Sequence, residues 1–154
     1  MPLSDFDKTL IARFSLGFVA TVTPEGHPHL SPKGTFLVLD DTTIAFGEIR
    51  SPDTMKNLAH RPMAEVNFID QWLRKGVRVR GPVRVVEKGA DFDDLIPRWR
   101  DVWGDLANRI NALVLFSADE VKQITTPPYD DGVTEEAMIA LYKEKFAAIY
   151  PSGK

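Results

Sequence analysis

Two short polar stretches carry residue types able to hold a ligand. The first, Ser31-Pro32-Lys33-Gly34, interrupts an apolar run that resumes as Thr35-Phe36-Leu37-Val38-Leu39. Pro32 removes a ladder donor and Gly34 offers no side chain, so the chain must bulge there or lie close to something that is not protein. The second, Ser51-Pro52-Asp53-Thr54, has the order of a helix start: Ser as N-cap, Pro at the first helical position, Asp in the first turn. The free N–H groups of such a start, with Arg50 before it and Lys56 within it, suit an anion such as phosphate. A bulged hairpin feeding a helix N-terminus fits a flat, phosphorylated ligand.

Other residues invite chemistry less directly. Arg78, Arg80 and Arg84 alternate with valines and form one basic strand face, which suits an interface between two copies of the chain. His27 and His29 lie two apart, but with no cysteine and only His60 besides, a metal site lacks its third and fourth ligands. They read as turn and capping residues, and no metal is expected. Trp99 and Trp103 have helical spacing and belong to a core, whereas Trp72 sits in a loop. No acid–base or nucleophile pattern is legible, so no residue is assigned a catalytic role.

The elements that position these stretches follow from periodicity. Residues 4–14, 51–60, 91–106 and 134–150 read as helices, with Ser4 and Thr134 as caps and Pro97 interrupting the third. Residues 16–47 hold three strands, separated by the turns at Pro24-Glu25-Gly26 and Asp40-Asp41. Residues 63–69 and 77–86 alternate as strands, the second broken by Gly81-Pro82, and residues 112–116 make a sixth. Residues 121–125 can extend the sheet. Six short strands without βαβ alternation predict a mainly β (α+β) protein, an antiparallel six-stranded barrel with flanking helices. A barrel of this size fills its interior with side chains, which sends a ligand to its outside or to a subunit interface.

Composition narrows the field. At 154 residues the chain predicts a single domain, residues 1–154, with residues 126–154 as a C-terminal loop and helix extension. The absence of cysteine excludes disulfides, thiolate metal sites and a cysteine nucleophile. A net charge of -3 gives no electrostatic reason to expect nucleic acid or an anionic membrane. With neither a leader-like N-terminus nor a spanning stretch, a cytoplasmic location is expected.

The order of these features resembles the pyridoxamine 5'-phosphate oxidase-like family of flavin-binding split β-barrels. The motifs are PEGHPHLSP, the Asp40-Asp41 turn, a strand ending in Phe46-Gly47, SPDTMKNLAHRP, and Val77-Arg78-Val79-Arg80-Gly81, over residues 14–89. The resemblance implies a homodimer binding FMN at the subunit interface. The phosphate would then lie at Arg50, Ser51, Thr54, Lys56 and Asn57. The ring would lie along Ser31, Pro32, Lys33, Gly34 and Thr35, and along Ala45, Phe46 and Gly47. Lys33 could supply positive charge near N1 and O2 of the ring.

The chain also departs from that family. Ser31 and Phe36 stand where the oxidases carry Arg and Lys, Pro52-Asp53 replace a basic pair, and no Arg-x-His element follows Phe116. The implied function is therefore an FMN-dependent oxidoreductase acting on a small organic substrate other than pyridoxamine phosphate, with a nicotinamide as possible electron donor. The alternatives are a non-catalytic flavin or electron carrier, or a relative of this fold binding deazaflavin or haem.

Overall fold

The computed structural model describes residues 2–153. Helix α1 (Asp5–Arg13) is closed at its start by a reciprocal pair in which Ser4 Oγ accepts the Asp7 N–H and the Asp7 carboxylate accepts the Ser4 N–H. Strands β1 (Gly17–Val22), β2 (Pro28–Lys33), β3 (Phe36–Asp40) and β4 (Thr43–Glu48) follow, then α2 (Pro52–His60), β5 (Met63–Asp70) and β6 (Lys75–Glu87). Helix α3 (Ala90–Trp103) tightens into a 3-10 turn, Gly104–Arg109. Strands β7 (Ala112–Ser117) and β8 (Glu120–Ile124) precede α4 (Glu135–Ile149), capped by Thr134.

The expected six-stranded split barrel is not what forms. The strands make one eight-stranded antiparallel sheet in the order β2-β1-β5-β6-β7-β4-β3, with β8 on β6. β2 and β3 are the two ends of this path and do not pair with each other, so the sheet stays open. The reason lies at Gly34-Thr35. A single interrupted strand was expected from residue 30 to 39, but the chain leaves β2 at Lys33 and re-enters at Phe36 on the opposite edge.

β6 joins the two halves. Its first part, Lys75 to Pro82, pairs with β5, and its last part, Val83 to Glu87, pairs with β7. The change of partner falls at Gly81-Pro82, where the sequence suggested a bend. A Cβ on Gly81 would stand 1.7 Å from the Ser117 carbonyl oxygen, so only glycine lets β6 pass the end of β7.

Two apolar cores lie on the two faces of the β3–β4–β7 half. The first gathers Phe36, Phe46, Phe68 and Phe116, with Phe36 edge-on to Phe68 at 4.8 Å, and is covered by Leu10 and Ile11 of α1 and Leu58 of α2. The second holds Ala45, Ile110 and Leu113 against Phe92, Ile96 and Trp99 of α3. Trp99 is fully buried and its indole N–H donates to the Thr35 carbonyl at 2.8 Å.

The C-terminal segment docks on the β5–β6 turn. Trp72 packs edge-on against Phe146 at 5.2 Å, Arg74 lies over the Tyr142 ring, and the Tyr129 hydroxyl donates to the Leu73 carbonyl. Among the described residues no helix is long and apolar enough to cross a membrane.

Gly81→Ala should destabilise the protein by about 2 kcal/mol or more, the scale of forced overpacking. A thermal melt would then fall by about 5 °C, given the usual slope for a chain of this size. Gly34→Ala, whose Cβ would meet nothing within 4 Å, should melt with the wild type.

Candidate functional site

The break between β2 and β3 builds the site. Thr35 sits in the break, and its hydroxyl donates to the Gly47 carbonyl at 2.8 Å while accepting the Gly47 N–H at 3.0 Å. With the Trp99 indole on the Thr35 carbonyl, both ends of this residue are tied to neighbouring elements. The segment before it is thereby held against the link from β4 to α2. The result is a cavity of about 160 Å³ lined by Pro32, Lys33, Gly34, Thr35, Gly47, Ile49, Arg50 and Ser51.

Lys33 is the chemically unusual member. Its side chain is almost wholly buried and its ammonium donates to Ser31 Oγ. Desolvation holds its pKa below the ordinary lysine value, and the attraction of Glu48 opposes that shift without cancelling it. A buried amine beside an open backbone position can donate to a carbonyl or nitrogen of a bound ring. Gly34 supplies the open position, since no protein atom lies where its side chain would be.

The residues expected to bind a cofactor separate into three groups. Pro32, Lys33, Gly34, Thr35, Gly47, Arg50 and Ser51 come together around the cavity, with Ser31 behind the Lys33 amine. Ala45 and Phe46 are fully buried on opposite faces of β4, one in each core. Thr54 and Asn57 lie on the buried side of α2, where the Asn57 amide donates to Thr21 Oγ1 at 3.0 Å. Lys56, two residues from Thr54 and about 200° around the helix, is on the exposed side.

Two features escape a reading of the sequence. Ser51 stands at the N-cap position, yet its side chain caps nothing. The Glu48 carboxylate instead accepts the N–H of Ser51 itself, at 2.8 Å. The alternation of β4 offered a signal, because Glu48 falls on the same strand face as Phe46 and Ile44. A second cavity of about 510 Å³ adjoins the first through Ile49 and Arg50 and is completed by Arg109 and Asn111. Nothing in the local sequence marks Arg109, which reaches this place only because the 3-10 turn delivers it beside β4.

Of the buried polar side chains, Lys33 and Thr35 line this cavity. Among the described residues the buried polar side chains are Asp7, Thr21, Lys33, Thr35, Glu48, Thr54 and Asn57, and all but Asp7 lie on α2, on the β2–β3 break or on strands against them. Two atoms outside the lining of this cavity, His29 Nδ1 and Thr54 Oγ1, are buried without a hydrogen-bond partner. Unsatisfied groups of this kind mark a place completed by water or a ligand.

Comparison with known proteins gives this arrangement a relationship. A family model described as pyridoxamine 5'-phosphate oxidase matches residues 3–122. HupZ of Group A Streptococcus has 22% sequence identity and a TM-score of 0.70 over 80% of this chain and 95% of its own. A putative pyridoxamine 5'-phosphate oxidase from Lactobacillus delbrueckii has 22% identity and a TM-score of 0.66, covering 79% and 93%. An FMN-binding protein from Syntrophomonas wolfei has 15% identity and a TM-score of 0.65, covering 78% and 84%. At these identities the likeness to the solved structures is one of fold. No curated protein matches the chain. The match over residues 3–122 carries the assignment: the chain belongs to the pyridoxamine 5'-phosphate oxidase-like family.

Proposed function

We propose that the protein binds FMN in the cavity at the β2–β3 break and acts as a flavin-dependent oxidoreductase on a small organic substrate. The observation that carries this reading is the pairing of the buried Lys33 amine with the open position at Gly34, in a cavity edged by Arg50. The residues present fit the group. Backbone exposed at the break can approach a flat ring, Lys33 can donate to its carbonyl edge, and Arg50 offers charge for its phosphate. The bound flavin would supply the hydride and electron chemistry. The chain would bind, orient and partly desolvate it, and the Lys33 amine would favour negative charge beside it. The departures at Ser31, Phe36 and Pro52-Asp53 argue for a substrate other than pyridoxamine phosphate, and a nicotinamide is a suitable electron donor.

The same reading includes a homodimer. Phe18, Ala20, Leu30 and Ile69 line an outer face of the β2–β1–β5–β6 half, with Phe18 39% and Leu30 67% exposed. Beside them Arg78 pairs with Glu65 at 3.9 Å, and Arg80 pairs with Glu120. An apolar patch flanked by charges of both signs is self-complementary, as a two-fold interface requires.

Three outcomes are expected. Protein reconstituted with FMN and desalted should keep the visible bands of oxidised flavin, and a colourless product would remove the reading. Gly34→Leu should fold with an unchanged melt yet lose FMN and riboflavin alike, because the added side chain fills the ring's place. Leu30→Asp should elute as a monomer in light scattering where the wild type elutes as a dimer; a monomeric wild type would overturn the interface.

A further inference from the structure

Arg50 and Arg109 share the larger cavity, and among the described residues neither joins a salt bridge or donates a hydrogen bond from its side chain. Most other arginines are tied down. Arg78, Arg80 and Arg84 meet Glu65, Glu120 and Asp91, while Arg74, Arg98 and Arg100 donate to carbonyl and amide oxygens. Arg13 and Arg61 also lack such partners, but the groove of Arg13 contains Asp70 and Glu135, and Arg61 is exposed at the end of α2. Arg50 and Arg109 instead line one concave space whose other residues are Ile49 and Asn111, none of them acidic. Two exposed arginines that line one space with no acidic residue beside them favour an anion there.

The backbone that bears them is pinned at this corner. The Asn111 N–H donates to the Glu48 carbonyl at 2.8 Å, and its side-chain amide donates to the Ile49 carbonyl at 2.9 Å. Ile110 packs beneath Gly47 so closely that a Cβ there would lie 2.5 Å from its Cδ1. The link bearing Arg50 and the turn bearing Arg109 are thus joined before any ligand arrives. Meanwhile the start of α2 is less available to an anion than its sequence suggests. Buried Glu48 already holds the Ser51 N–H, and Asp53 adds a second carboxylate in the first turn. An incoming phosphate would meet the negative charges of Glu48 and Asp53 there, whereas the arginine cavity offers it two forked donors.

The geometry points to a phosphate-ester site formed by Arg109 with Arg50, in the cavity between the β4–α2 link and the corner before β7. Because this cavity adjoins the ring cavity, its phosphate is that of FMN if the flavin reading holds, or the phosphate of a second nucleotide seated beside it. The flavin reading is needed only for the first of these sources.

Full-length wild type, Arg109→Ala, Arg109→Lys and Lys56→Ala are titrated with FMN and riboflavin by flavin fluorescence, and with inorganic pyrophosphate by calorimetry. Thermal melts check that each variant folds. Arg109→Ala should weaken pyrophosphate and FMN about tenfold or more, the worth of one charge-assisted hydrogen bond, and leave riboflavin unchanged. Arg109→Lys should recover part of the loss, and Lys56→Ala should match the wild type. Pyrophosphate held equally by wild type and Arg109→Ala, or by neither, overturns the site. Pyrophosphate lost while FMN is unaffected keeps the site and assigns it to the second nucleotide. Pyrophosphate lost while no variant binds either flavin keeps the site and sinks the flavin reading instead.

Discussion

Everything near the candidate site depends on how the chain crosses from one edge of the sheet to the other at Thr35. A residue in such a break has lost its ladder partners, and its backbone groups must be satisfied elsewhere or be left at a cost. Here the Thr35 carbonyl takes the Trp99 indole N–H, and its hydroxyl both gives to and takes from Gly47. These contacts join β3, β4 and α3 at a single point, between the two cores. The open backbone at Gly34 is tolerable because its successor is so firmly held. Rigidity at Thr35 and vacancy at Gly34 are two aspects of one arrangement.

This arrangement explains which expectations survived contact with the structure. Pro32 and Gly34 announced a break in words any sequence can carry, a missing donor and a missing side chain. The start of α2 was equally legible in Ser51-Pro52-Asp53. Local signals do not say where a broken strand resumes, and the barrel failed for that reason: residues 30–39 read as one interrupted strand, while β2 and β3 stand at opposite ends of an open sheet. The extension of the sheet expected of residues 121–125 is made by β8, which pairs with β6.

The site residues divide along the same line. Lys33 and Arg50 flank the breaks that create the cavity, so proximity in sequence and in space coincide. The resemblance groups Thr54, Lys56 and Asn57 at the phosphate, yet the helical turn sends Asn57 under the helix to Thr21 and leaves Lys56 exposed and outside the cavity lining. Glu48 and Arg109 matter because of contacts made after folding. A carboxylate at the end of β4 holds the residue that precedes α2, and an arginine 59 residues after Arg50 lines the same cavity. No spacing rule reaches that far.

The passage of β6 through Gly81 has a mechanical consequence. A strand that pairs with β5 in its first part and β7 in its last is a common beam, and neither half of the sheet possesses a complete edge without it. Loosening one half therefore strips hydrogen bonds from the other, which couples the two halves mechanically. The ends of the path, β2 and β3, each pair with a single strand. Those are the strands joined by the break that forms the ring cavity, so the candidate site lies between the sheet's two unshared ends.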